Sequence, residues 1–361
     1  MTENNNGPTP GQLPSAGWLP DPARTDLERY WDGSAWTGHV RARYMGYGPS
    51  APIYTQPAKK RRGGLRALVL TAILVALVAV AGHQGILPEW VPFRAALVGG
   101  PPPTPEVAYP VMGSDDLVKY LAASMIDQKK SIDVTYWANA EGVGRDGVFD
   151  AVSEAAIQNP YLFVRGWTYV TSLSGVTLQP DYVYPRAEAR ERQDETAAAV
   201  AVGLEELDLS QTSSDADKAR AIHDYVASVA TYDYEAADAI GEGETDSTQV
   251  DQSQEAYGIL VAGTAVCNGY AQAFQALAYE VGLPTVVVTG EANSGLTVGA
   301  HAWNRVLVDG EWDVVDVTWD DVDGSYVRQD YFLVPPGDEK LDSRTPDKEW
   351  VVDSEAANYG G

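Results

Sequence analysis

The longest apolar run in the chain, LRALVLTAILVALVAVA at 65–81, holds no acid and a single base, Arg66, near its start. As a helix its seventeen residues would span roughly 26 Å against a hydrocarbon core of about 30 Å. Snorkelling of Arg66 and local bilayer thinning cover that deficit, so 65–82 is expected to cross a membrane. Beyond it the apolar positions recur at shorter periods. Leu117, Tyr120, Leu121, Ser124 and Met125 keep helical spacing behind Ser114, a good N-cap, with Asp115 and Asp116 in the first turn. SIDVTYWA at 131–138 reads as a strand. Val148, Val152 and Ala156 mark a short helix ended by Asn159-Pro160. Two strands flank Ser174-Gly175, and the charged, Ala-rich stretch 186–206 is a helix. Another helix opens at Ser214, with Ile222, Val226 and Val229 on one side. The acidic, Gly-containing stretch 235–252 reads as a mobile surface loop.

The pattern is clearest in the last third. Tyr270, Phe274, Leu277 and Val281 form one helical face that starts close to Cys267 and ends at Gly282 and Pro284. TVVV at 285–288 follows as a buried strand. HAWNRVLVDGEWDVVDVT at 301–318 alternates on both sides of Asp309-Gly310, a strong two-residue hairpin turn. Such a turn sets Trp303 opposite Asp316 and His301 opposite Thr318. His301, Trp303, Arg305 and Leu307 then share a face with Trp312, Val314, Asp316 and Thr318, while Ala302, Val306, Val308, Val315 and Val317 form a face that reads as core apart from Asn304 and Asp313. His301 and Asp316 become diagonal neighbours within reach of each other's side chains, whereas a slip of one residue would put them on opposite faces.

Composition narrows the function. Hydrophobic residues at 45% and charged residues at 21% describe a globular chain. With 25 basic and 51 acidic side chains, the net charge is −26. Nucleic acid is not an expected partner, because its binding rests on neutralising phosphates. A single cysteine excludes an internal disulfide and a multi-cysteine zinc site. The four histidines, His39, His83, His223 and His301, do not suggest a His-rich centre, so no metal and no cofactor are expected. Asp320, Asp321 and Asp323 raise calcium as an alternative to a solvated loop.

The charge is also uneven. Residues 1–66 carry 9 basic and 5 acidic side chains, and the basic cluster Lys59, Lys60, Arg61 and Arg62 directly precedes the apolar run. The positive-inside bias keeps the N-terminus in the cytoplasm and sends the chain from about residue 83 outside. A buried core helix and a signal segment cleaved after Ala79-Val80-Ala81 are the alternatives. GWLPDPARTDLERYWDGSAWTGHV at 17–40, with Trp18, Trp31, Trp36 and Tyr30, reads as a small aromatic-centred β unit. It resembles a short domain of unknown function found at the N-termini of many bacterial membrane proteins.

The chemistry centres on Cys267. At the positive end of a helix macrodipole a thiolate is favoured and the thiol pKa falls, as a nucleophile requires. A small, buried, unreactive cysteine is the competing reading. His301 beside Asp316 supplies an imidazole whose tautomer and charged form a carboxylate can stabilise. Taken singly, His301 could be structural and Asp316 a surface acid. His223 reads as structural, and Trp303 and Trp319 as either walls of an acyl channel or packing.

Cys267 in GTAVCNGYAQAF, His301 in GAHAWNRV and Asp316 in WDVVDVTWD resemble the core of the transglutaminase-like superfamily. Flanking pieces agree: IHDYV with Tyr232-Asp233, AYGILVAG, and Tyr331-Phe332. The resemblance implies an α+β, papain-like core in which a Cys-bearing helix packs on an antiparallel sheet bearing His and Asp. It implies Cys267 as nucleophile, His301 as general base and acid, and Asp316 as orienting residue. The activity implied is acyl transfer from a protein or peptide amide through a thioester, with hydrolysis and crosslinking both open. The backbone N–H of Cys267 is a natural oxyanion donor. A non-catalytic binding or scaffold domain at the cell envelope is the alternative, and a single-thiol redox sensor is a third idea. The domains expected are 1–16 disordered, 17–40 cytoplasmic, 41–64 linker, 65–82 membrane helix, 83–109 spacer, 110–205 an α+β accessory region, 206–340 catalytic, and 341–361 a tail.

Overall fold

A computed structural model describes residues 17–20, 22, 27–31, 34–42, 100–140, 142–173, 175–207, 209, 214–244, 247–293, 298–321, 327–348 and 359–360. The expected membrane segment 65–82 lies outside the described residues. Among those that are described, no helix is long and apolar enough to cross a membrane. Near the N-terminus, β1 (Gly17–Pro20), β2 (Leu27–Trp31) and β3 (Trp36–Ala42) form an antiparallel sheet. The rings of Trp31 and Trp36 meet edge to face, 5.3 Å between centroids.

The region from residue 110 begins with α1 (Asp116–Ile126), β4 (Ile132–Asp133), α2 (Thr135–Ala138) and α3 (Gly144–Ile157). β5 (Val164–Ser172), β6 (Gly175–Tyr182) and α4 (Arg186–Glu206) complete it. Two expectations are corrected here. The cap of α1 is Asp115, whose carboxylate accepts from Val118 N at 2.9 Å, because Ser114 is taken by Glu154. The strand expected over 131–138 stops after Asp133. Its carboxylate accepts from both the backbone N and the hydroxyl of Thr135 (2.9 and 2.6 Å), which turns the chain into a helix.

The second half contains α5 (Asp215–Val229), α6 (Tyr234–Gly241), α7 (Thr248–Ser253) and α8 (Ala256–Leu260). Ser214 and Asp217 close a capping box at the start of α5, as their spacing suggests. The loop expected over 235–252 is instead the pair α6 and α7. Asp233 and Ser247 each cap a first turn, and that local bonding outweighs the acidic composition. Then follow α9 (Cys267–Glu280), β7 (Thr285–Asn293), β8 (Val298–Val308), β9 (Glu311–Val315), α10 (Val317–Asp320) and β10 (Arg344–Pro346).

The strands form one antiparallel sheet in the order β10-β7-β8-β9. Asp309 and Gly310 both have positive φ (51° and 86°), the I′ turn that this dipeptide favours. It yields the expected register, Asn304 opposite Val315 and Leu307 opposite Trp312. One face of the sheet buries Val306, Val308 and Val315 with Phe274 and Leu277 of α9 and Ile222 and Val226 of α5. The other buries Val286, Val288, Trp303, Trp312 and Val314 with Met112 and Tyr359. Part of the stretch expected as a tail therefore belongs to the fold: β10 edges the sheet and Tyr359 enters its core.

Candidate active site

Cys267 is the first residue of α9, with Val266 as N-cap in extended conformation. The approach to it is tied down. Ala265 exchanges backbone hydrogen bonds with Thr231 and Asp233 (3.2 and 2.9 Å), and Val266 N donates to Ser253 O at 2.9 Å. Cys267 is only 2% exposed. Ring and carboxylate reach it from the sheet. His301 stands near the start of β8, 6% exposed, and its Nε2 lies 2.8 Å from Asp316 Oδ2. The Cys267 thiol is in hydrogen-bonding contact with the same ring. Since Nε2 is engaged by the carboxylate, Nδ1 is the nitrogen left for sulfur.

Asp316 does not continue β9, and the pairing of His301 with Thr318 does not form. The strand ends at Val315, and Asp316 caps α10 by accepting from Trp319 N through Oδ1 at 3.2 Å. One carboxylate thus holds a helix with one oxygen and the imidazole with the other. Burial pushes the His301 pKa down, but the Asp316 charge and hydrogen bond, followed by the bond to Cys267 and its charge, raise it from 6.5 to about 10. For Asp316 the order is similar. Burial pushes the carboxyl up, and His301 and then Arg344 bring it below its ordinary value.

Arg344 is the functional neighbour that the sequence did not disclose. From β10 it donates through Nη2 to Asp316 Oδ2, the oxygen that also faces His301. Its guanidinium lies over Trp319 (3.9 Å) and Tyr331 (4.5 Å), with Trp303 at 5.8 Å. A lone arginine 28 residues beyond Asp316, in a polar stretch without hydrophobic period, gives no local signal. Trp319 also stacks on the His301 ring at 5.1 Å and 25°, and Trp303 lies 5.9 Å away and is buried. Both tryptophans therefore pack against the ring. Tyr232 completes the surroundings: its hydroxyl pKa is raised by burial first and then by the negative charge of Cys267.

His223 sits apart from this group. It is fully buried, Nδ1 2.9 Å from Asp224 and Nε2 3.2 Å from Asp320, and joins α5 to α10. Asp320 also accepts from Tyr331 N (3.1 Å), and Asp321 from the Tyr270 hydroxyl (2.7 Å). Asp323 lies outside the described residues. Among the described residues, no group of His, Cys, Asp and Glu could hold a metal ion.

Residues 206–317 match the transglutaminase-like superfamily, and residues 16–52 match a protein family of unknown function, DUF2510. Kyphoscoliosis peptidase of Mus musculus is 32% identical over 142 residues, which cover 36% of this chain and 20% of the peptidase. The chain thus spans about one fifth of that relative's length. A solved transglutaminase (TGase) structure is 24% identical with a TM-score of 0.31, over 43% of this chain and 44% of the other. A candidate cysteine protease of Cytophaga hutchinsonii is 16% identical with a TM-score of 0.27, over 42% and 41%. The thiol-bearing helix and the strands β7, β8 and β9 that follow it lie within residues 206–317, the segment that matches the transglutaminase-like superfamily.

Proposed function

We propose that the protein is a cysteine acyl-transfer enzyme acting on protein or peptide amides. The observation that carries this reading is the contact of one imidazole with both a helix-start thiol and a buried carboxylate. Cys267, as the thiolate of an ion pair with protonated His301, attacks the amide carbonyl carbon. Positive charge at the start of α9 favours both the thiolate and the oxyanion that forms. Collapse breaks the C–N bond as His301 passes its proton to the nitrogen, so an amine leaves and a thioester remains. Neutral His301 then takes a proton from water or from a second amine. That nucleophile attacks the thioester, the thiolate departs, and the product is an acid or a new amide. Asp316 keeps the ring turned toward sulfur and stabilises its charged form.

The same proposal covers the setting. Residues 65–82 anchor the chain in a bacterial membrane, the N-terminal unit faces the cytoplasm and the catalytic domain lies outside. Externally added protease acting on intact cells should digest the body of the chain and spare residues 1–64.

One observation favours a binding domain without turnover, the near-complete burial of the sulfur. A single experiment separates the readings. The full chain is incubated with a glutamine-containing peptide and a labelled primary amine, beside Cys267→Ala. Label in the peptide marks crosslinking chemistry, and a free acid marks hydrolysis. Both products should vanish in Cys267→Ala while its circular dichroism is unchanged. A folded wild-type protein that forms neither product across a panel of peptides would sink the enzyme reading.

A further inference from the structure

Arg344 takes no part in the acyl transfer set out above, yet it is built into the site. Its side chain is 3% exposed, and it lies beyond the family-matched segment 206–317. It reaches the site because β10 pairs with β7, setting Arg344 opposite Ala292 and Pro346 opposite Gly290. Its Nη2 shares Asp316 Oδ2 with His301, its Nη1 is 3.4 Å from the Lys340 carbonyl, and its plane lies against Trp319 and Tyr331. Buried arginine is costly unless its charge is used, and a packing role alone is met as well by an apolar side chain. Here the charge sits one carboxylate away from the imidazole. The titratable side chains packed around Asp316 and Arg344 are His301, Cys267 and the phenols of Tyr232 and Tyr331.

We infer that Arg344 is a positioning residue: through Asp316 it fixes the direction of the carboxylate toward His301 and sets the charge balance that favours the Cys267 thiolate. The inference rests on the Cys267–His301–Asp316 reading above and extends it. Asp316 is bound on one oxygen by two cations, so it cannot swing away from the ring without breaking both contacts. A cation near the site opposes protonation of every group around it. Its removal should therefore move their titrations to higher pH.

The test needs no substrate. The rate of Cys267 alkylation by iodoacetamide is followed against pH in the full chain, in Arg344→Met, in Arg344→Lys and in the double variant Asp316→Asn/Arg344→Met. The wild-type midpoint should lie well below the ordinary thiol value of about 8.5. Arg344→Met should raise it by about one pH unit, and Arg344→Lys should return it to within about 0.3 unit of wild type. The double variant strands neither charge, so it decides the matter if Arg344→Met does not fold. Its midpoint should stay within about half a unit of wild type, because an anion and a cation leave together. An unmoved midpoint in folded Arg344→Met, or a fall of a unit or more in the double variant, overturns the inference and leaves the acyl-transfer reading standing. A wild-type midpoint near 8.5 overturns both.

Discussion

Asp316 is a fully buried carboxylate, and the three contacts it makes decide what its substitution would do. Two cations, His301 and Arg344, meet one oxygen, and the backbone N of Trp319 meets the other. Asp316→Asn removes the charge while keeping the shape. It leaves Arg344 buried without its partner, a loss of roughly 3–5 kcal/mol in unfolding free energy. It also frees His301 to adopt the wrong tautomer, so turnover should fall by about 10²- to 10⁴-fold even in the folded fraction. Urea unfolding and steady-state rates on one preparation measure both, and a variant of native stability would mean that Arg344 finds another anion. The pH dependence has a definite sign. His301 holds its proton more tightly when folded, with a pKa raised from 6.5 to about 10. Its contribution to stability is therefore complete below pH 6.5 and is lost as pH rises through about 10. Asp316 is shifted down, so its contribution is present above its ordinary 3.8 and is lost as pH falls through its lowered value. Urea unfolding between pH 7 and 10 should show wild type losing stability faster than His301→Gln, and equal slopes would assign the loss to other groups.

At the level of elements, the sheet edge built by β10 is where the site depends on a distant part of the chain. A Cβ on Gly290 would stand 2.2 Å from Thr345 O and 2.8 Å from Pro346 Cα, both backbone atoms of β10. Gly290→Ala must therefore push β10 outward and draw Arg344 away from Asp316. About 1–3 kcal/mol of stability should be lost, and the alkylation midpoint should rise as it does in Arg344→Met. Adding Arg344→Met to Gly290→Ala should then move the midpoint no further; a full additional shift would show that β10 had not moved. This edge was also the least legible part of the sequence, since three residues ending in proline carry neither period nor propensity. The helix at Cys267 was legible because Tyr270, Phe274 and Leu277 repeat on one face and Gly282-Leu283-Pro284 stop it. The hairpin was legible because Asp309-Gly310 admits one turn and so one register. Asp316 does neighbour His301, but as a helix cap and not as a further strand residue. Apolar alternation runs on through Val317, and nothing in it announces that the carboxylate will cap a helix. In 235–252 the acidic, Gly-containing composition suggests a loop, whereas the caps Asp233 and Ser247 start helices there.

At the scale of the whole molecule, the region from residue 100 to 205 is bound to the thiol-bearing helix and the central sheet by buried polar contacts. Gln158, at the end of α3 and fully buried, donates to Val287 O (2.7 Å) and accepts from Val287 N (2.9 Å), bonding the backbone as a neighbouring strand would. Its oxygen also accepts from Gln275 of α9 at 3.0 Å, and Gln272 of the same helix donates to Ile157 O at 2.6 Å. Asn159 makes the matching pair of bonds to Met112 (2.8 and 3.0 Å), whose side chain lies in the sheet's second core with Trp303 and Tyr359. Buried backbone groups stripped of such partners cost about 1–3 kcal/mol each. Gln158→Leu, close in volume but unable to bond, should therefore lower unfolding free energy by roughly 3 kcal/mol or more. Severing the whole contact should do worse. A fragment of residues 206–361 keeps every group of the Cys267–His301–Asp316–Arg344 cluster, yet it bares the Val287 backbone and the face that holds Val286, Val288 and Trp303. It should show no cooperative urea transition and an alkylation midpoint near that of a free thiol, whereas residues 100–361 should unfold in one step with the midpoint of the full chain. A cooperative 206–361 fragment with a depressed midpoint would show that the family-matched segment builds the site unaided, and that Gln158 and Asn159 join two independent bodies.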